Sequence, residues 1–137
     1  MSLVLLAGCA VPGSDEEQIR QRLDDMVQAL ADRNARAFLA PLAEDFGAET
    51  WNLDPRGVRL LLQREMRAHD RLRARLVDVS IQMHGTDRAT AEFNAILTGG
   101  SGLIPHRGGW YRVSTGWRRD GNDWMMISAS WEEVIRR

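Results

Sequence analysis

The sequence predicts an α+β domain: three helices come first, and they pack on a sheet of four long antiparallel strands. Three observations carry that prediction. Apolar residues recur at helical spacing in the first half, behind a capping box at Ser14 and again behind the pair Asp54-Pro55. From Arg73 the apolar period changes to two, the spacing of one face of a strand. Turn signals containing Gly85 and Gly121 then divide the second half into hairpins.

Each helix has its own start signal. Ser14 followed by Glu17 is a capping box, and Asp15, Glu16 and Glu17 suit the positive end of a helix dipole. Ile19, Leu23, Met26, Val27 and Leu30 then fall on one face, giving a first helix over about 15–32. Asn34 caps a short second helix that stops near Pro41. The stretch AEDFGAETWNL reads as irregular chain or a short strand. Asp54 is an N-cap with Pro55 at the first helical position, opening a third helix to about His69 with Val58, Leu61, Leu62 and Met66 inward.

The strands are constrained by parity. Val77, Val79, Ile81 and Met83 share one face of the first long strand, and Ala89, Ala91, Phe93, Ala95 and Leu97 one face of the second. If these sets are to lie on the same side of a hairpin, paired positions must sum to an even number such as 172, as with Val79 and Phe93 or Ile81 and Ala91. A three-residue loop, Gly85-Thr86-Asp87, meets that condition; a two-residue loop does not. The last two strands, about 110–119 and 122–133, flank Asp120-Gly121, read as a two-residue turn. That turn would set Trp117 opposite Trp124 and Trp110 opposite Trp131, one tryptophan pair on each side of the sheet. Between the hairpins, GGSGLIPHRGG at 99–109 is a long glycine-rich loop.

Composition narrows the function. A chain of 137 residues fits one domain and can hide roughly two thirds of its unfolded surface. Eighteen basic against nineteen acidic residues give a net charge of −1, so no whole-molecule field favours nucleic acid. One cysteine, Cys9, cannot form an internal disulfide, and no Cys/His spacing suits a metal; neither metal nor cofactor is expected. Residues 1–13 are set apart from the domain at 14–137. LAGC at 6–9 resembles the bacterial lipobox, in which the cysteine after Leu and two small residues is lipidated. No basic residue precedes Cys9 and the apolar run is short, so either a true signal is truncated here or the segment is a nonfunctional apolar terminus. The first reading implies Cys9 as the lipidation site, a cell-envelope location facing the periplasm, and a membrane contact through the lipid anchor alone; the second leaves a cytoplasmic location.

Helices, a polar break and four long strands, with ALADRNARAFLAPLAEDF at 29–46 and the closing GNDWMMISASWEEV, resemble the nuclear-transport-factor-2-like superfamily, also called polyketide-cyclase-like or SnoaL-like. The resemblance spans residues 14–134. It implies a strongly curved sheet wrapped into a cone, a pocket at the open end, and a homodimer through the outer sheet face. Members include dehydratases, isomerases, cyclases and proteins that only bind or scaffold, so fold does not settle activity.

With Trp124 and Met126 facing inward, as the resemblance implies, the expected ligand pocket is Phe93, Tyr111, Thr115, Trp117, Trp124, Met126, Ser128 and Ser130. It is uncharged, whereas proton transfer near neutral pH needs an acid or base tuned by its surroundings. The candidates for that work are His69 and Asp45, with Tyr111 as donor to a carbonyl oxygen. Both have bland alternatives: a helix-end histidine for His69, a turn or cap for Asp45. The opposite face of the last two strands carries Trp110, Met125, Ile127, Ala129 and Trp131, broken by Arg112 and Arg118, an apolar surface suited to a homodimer. The expectation is a non-catalytic envelope lipoprotein binding a small apolar ligand or a protein partner. The alternatives are a dehydratase-, isomerase- or cyclase-type enzyme, and an assembly component of an envelope complex.

Overall fold

The helical half starts where the capping box puts it. Ser14 Oγ accepts from the main-chain nitrogen of Glu17, and Glu17 accepts in return from that of Ser14, both at 3.1 Å. Helix α1 (Asp15–Ala31) follows, then α2 (Ala35–Leu39) behind Asn34, then α3 (Pro55–Ala68) behind Asp54. The structure, a computed structural model, describes residues 14–48, 52–99 and 109–134. Cys9 with its tether, residues 100–108 of the glycine-rich loop, and His106 lie outside the described residues.

Strands β2 (Leu72–His84), β3 (Arg88–Gly99), β4 (Trp110–Asp120) and β5 (Asp123–Glu133) form the long antiparallel run. The stretch left open as irregular chain or a short strand contains a short fifth strand, β1 (Leu42–Gly47), parallel to β5, giving the order β1-β5-β4-β3-β2. Leu42, Ala43 and Phe46 of β1 are buried, which is why it lies along the sheet and not in solvent.

The first hairpin has the three-residue loop that parity demands. His84 pairs with Arg88, and Ile81 with Ala91, both summing to 172. Beyond Ser80 the register slips, because Asp78 and Val79 together oppose Phe93 in a β-bulge and Asp78 turns to a φ of 57°. Aspartate is among the few non-glycine residues that tolerate that left-handed backbone. The apolar set therefore changes parity: Leu76, not Val77, joins Val79, Ile81 and Met83 on the core.

The second hairpin departs further from its expected register. The two-residue turn is Gly121-Asn122, not Asp120-Gly121, with Asp120 paired to Asp123 and a positive φ of 64° at Gly121. Glycine at the first central position is the type II′ requirement, and it outranks the Asp-Gly pair that suggested the other frame. Trp117 accordingly pairs with Met126, and Trp124 with Arg119. A bulge then leaves Ile127 unpaired, since Trp117 opposes Met126 while Gly116 opposes Ser128. Past it, Thr115 pairs with Ala129, Val113 with Trp131 and Tyr111 with Glu133.

That single extra residue overturns four assignments. Ser128 and Ser130, expected to line the pocket, oppose Gly116 and Ser114 on the outer face. Ala129 and Trp131, expected at an outer dimer surface, pack against the core. Trp110 does not face Trp131; its main-chain oxygen accepts from Val134 at 2.8 Å.

The core sits between α1 and the inner sheet face. Ile19, Leu23 and Met26 meet Ala89, Ala91, Phe93, Trp117, Trp124 and Met126 in one buried cluster. Small residues make room for large ones: Ala89 stands directly beside Trp117, which is 0% exposed. Its indole nitrogen donates to Thr115 Oγ1 at 2.8 Å, and that hydroxyl donates to the main-chain oxygen of Ala91 at 2.9 Å. A buried polar pair satisfied in this way costs little, which explains a threonine in an apolar layer.

Candidate functional site

The expected pocket is filled at the end of the sheet that α1 covers. Phe93, Thr115, Trp117, Trp124 and Met126 are all buried there. Of the residues assigned to the pocket, Trp124 edges a small depression at that end, and Tyr111 borders a larger open cavity at the other end of the sheet.

Helix α3 makes one wall of that cavity. Asp54 Oδ1 accepts from the main-chain nitrogen of Gly57 at 2.8 Å, and Pro55 supplies the preset first helical residue. A Cβ on Gly57 would come within 2.8 Å of Leu53 Cδ2, so glycine allows Leu53 to tuck under the first turn. Leu53 is held from the other side by two main-chain hydrogen bonds with Ala48, at 2.8 and 3.2 Å. Val58 and Leu62 face the protein, leaving Leu61 and Arg64 at the cavity edge.

The facing wall comes from β4 and β5. The bulge at Ile127 turns Trp131 and Glu133 toward the helices, and Glu133 pairs across the strands with Tyr111. Together they close a cleft of about 510 Å³ lined by Leu53, Leu61, Arg64, Tyr111, Trp131, Glu132 and Glu133. Sites for small molecules have volumes of this order, with mainly apolar walls and a few polar groups. A smaller depression of about 230 Å³ lies at the opposite end, beside Gln18, Arg22, Asp25 and Asp123.

The proposed acid and base do not reach the cleft. His69 ends α3 with its Nε2 3.5 Å from Glu65 Oε1, and it is not among the cleft-lining residues. Asp45 sits on β1, where its carboxylate takes two hydrogen bonds from Arg118, at 2.8 and 3.1 Å. Those bonds hold the Asp45 carboxyl below the ordinary aspartate value of 3.8. A carboxylate kept ionised by arginine cannot deliver a proton near neutral pH. Asp120 shares the same guanidinium at 2.8 and 3.1 Å and is lowered by it too, while the two carboxylates, Asp120 first, raise Arg118. This ion-pair cluster lies on the outer face, away from the cleft. Among the described residues no group of three or more His, Cys, Asp or Glu side chains could hold a metal.

Trp131 and Glu133 escape sequence reasoning as cleft residues for one reason, whereas Leu53, Leu61 and Arg64 reach the cleft only through the packing of α3 and the chain just before it on the end of the sheet. The two strand residues change faces at a bulge, and the only local sign of it is Gly116. A glycine inside a strand marks a bulge or a close approach. Here a Cβ would stand 2.5 Å from Ser128 Oγ.

The sequence matches no family model and no curated protein. Solved structures do resemble the fold. Bd1075 of Bdellovibrio bacteriovorus superposes with a TM-score of 0.74 at 10% identity, covering 88% of this chain and 41% of that one. The chain thus spans about two fifths of that protein's length. An NTF2-like protein of unknown function from Pseudomonas putida gives 0.70 at 21% identity over 91% of this chain and 92% of that one. A Streptomyces avermitilis protein with a provisional dehydratase assignment in the NTF2-like family gives 0.70 at 14% identity, covering 88% and 96%. Others are described as having a cystatin-like fold. At these identities the likeness shows the fold: an α+β, cystatin-like arrangement of the NTF2-like kind, found in proteins of unknown function and in proteins with provisional enzyme assignments.

Proposed function

We propose that this chain is a non-catalytic binding protein of the bacterial envelope, lipid-anchored at Cys9, whose cleft takes a small apolar ligand. The observation that carries the binding reading is the cleft itself: Leu53, Leu61 and Trp131 give it apolar walls, Tyr111 gives it a hydroxyl, and His69 and Asp45 both lie outside it. The lipobox at 6–9 supports the envelope location. The test is titration with 1-anilinonaphthalene-8-sulfonate, an apolar probe with one anionic group. Fluorescence should rise with micromolar affinity in the wild type and fall at least tenfold in affinity in Trp131→Ala and Leu61→Asp. Equal affinity in these variants would overturn the cleft as the binding site.

A second reading rests on the Tyr111–Glu133 cross-strand pair at the cleft. It supplies a carboxylate and a phenol side by side, the minimum for a dehydratase- or isomerase-type proton transfer. Under that reading a dehydration or isomerisation assay shows turnover that Glu133→Gln abolishes; under the binding reading no turnover is seen in either protein.

The homodimer also belongs to this proposal, on a patch reduced from the expected one. Trp110, Met125 and Ile127 remain on the outer face with Arg112, whereas Ala129 and Trp131 have turned inward. Light scattering at micromolar concentration should give twice the monomer mass; a monomer would remove the dimer without touching the cleft.

A further inference from the structure

The exposed large hydrophobic side chains among the described residues are neighbours on one helix: Leu60, 60% exposed, and Leu61, 36% exposed, both on α3. The same helix carries four exposed arginines, Arg56, Arg59, Arg64 and Arg67. Helical spacing puts Arg56, Leu60, Gln63 and Arg67 in one stripe, with Arg59 and Arg64 flanking it. Val58, Leu62 and Met66 occupy the side turned to the protein.

Charge on this helix is segregated from the rest of the chain. Residues 55–68 hold four arginines and one glutamate, a net charge of +3, in a protein whose total is −1. The glutamate, Glu65, is partly buried and already lies against Arg64 at 3.9 Å and His69 at 3.5 Å. No ion pair engages Arg56, Arg59 or Arg67 among the described residues.

We propose that α3 is a docking face for an anionic phospholipid surface. Leucine set among arginines is what an interfacial helix requires, because the apolar side chain enters the acyl boundary while guanidinium groups bind headgroup phosphates. A nucleic acid would use the arginines and gain nothing from Leu60. At 14 residues the helix is about 21 Å long and lies along such a surface; no helix among the described residues is long and apolar enough to cross a membrane. Leu61 and Arg64 belong both to this helix and to the cleft, so docking brings the cleft mouth to the lipid surface.

The test uses the full-length chain with Cys9→Ser, so that no acyl chain contributes, sedimented with vesicles of phosphatidylcholine alone or of phosphatidylcholine with phosphatidylglycerol. Binding is expected to the anionic vesicles only and should weaken as salt is raised. Arg56→Glu with Arg67→Glu should weaken it by at least about 25-fold, since each arginine near an anionic surface is worth roughly a fivefold factor. Arg56→Gln with Arg67→Gln repeats the test without reversing charge, and circular dichroism confirms that each variant is folded. Leu60→Ser should weaken binding severalfold and leave the salt dependence unchanged. Equal binding to neutral vesicles, or no effect of the arginine substitutions, overturns the proposal. Binding to heparin that exceeds binding to vesicles and ignores Leu60→Ser overturns it in favour of a soluble polyanion.

Discussion

The guanidinium of Arg33 closes the C-terminal end of α3 by donating from Nη1 to the main-chain oxygen of His69 at 2.9 Å, although Arg33 itself stands in left-handed backbone at a φ of 59°. The same side chain reaches the main-chain oxygens of Asp70 and Met66. Its own backbone ends α1 in a Schellman arrangement: the nitrogen of Arg33 donates to Leu30 at 3.1 Å, and that of Asn34 to Ala29 at 2.9 Å. Glycine is the usual occupant of such a position. An arginine there accepts backbone strain and in exchange joins the ends of two helices.

Arg33→Ala and Arg33→Gly separate the two effects. Both lose the cap on α3, which at this exposed site costs about 1 kcal/mol. Glycine also removes the left-handed strain, worth roughly 1 kcal/mol, so Arg33→Gly should be the milder substitution by that amount. Urea denaturation measures both; equal losses would show that the strain is negligible.

The outer ion-pair cluster predicts a pH dependence with a definite sign. Arg118 hydrogen bonds lower the carboxyls of Asp45 and Asp120 below 3.8 in the folded protein. Between the lowered folded pKa and the ordinary unfolded one, the unfolded chain binds more protons, so stability rises with pH there. Their contribution is complete above about pH 4 and is lost as pH falls through the folded values. Asp45→Asn combined with Asp120→Asn should flatten that acid limb in denaturation curves taken at low pH and leave its shape near neutrality unaltered. An unchanged acid limb would dismiss the cluster as a source of acid lability.

Thr115 should tolerate serine and resist valine. Valine keeps the shape but leaves the Trp117 indole nitrogen unsatisfied in a buried layer and removes the hydroxyl's bond to the Ala91 oxygen, a loss of about 2–3 kcal/mol. Serine keeps both hydrogen bonds and gives up one methyl group, about 1 kcal/mol. Thermal denaturation of the two variants ranks them, and a valine variant as stable as the serine one would contradict the satisfied-pair account.

At the β5 bulge, Gly116 and Ser128 should be energetically coupled. A methyl at position 116 would stand 2.5 Å from Ser128 Oγ but 3.7 Å from its Cβ. Gly116→Ala should therefore be tolerated better, by about 1 kcal/mol, when Ser128→Ala is present. Additive effects in a double-mutant cycle would mean that the strands separate freely at this point.

Much of this architecture can be read without coordinates. Ser14, Asn34 and Asp54 each begin a helix and each accepts from the main-chain nitrogen three residues on, because the capping chemistry is local. The loop at Gly85–Asp87 follows from the parity of two apolar sets. The candidate site is far less legible. Tyr111 is the one expected pocket residue that borders the cleft, and the others there are Leu53 ahead of α3 and residues of α3 and of the end of β5.

What the sequence by itself determined was where elements begin, what type they are, and which hairpin loop keeps two apolar faces together; these depend on neighbours a few residues apart. The tertiary structure alone decided the parallel pairing of β1 with β5, the bulges at Asp78 and Ile127, and thereby which strand residues look toward the helices. A bulge inserts one residue without altering local strand propensity. Its position is fixed by how distant segments close over a shared core, and with a side-chain period of two, one residue is enough to exchange Ser128 and Ser130 for Ala129 and Trp131.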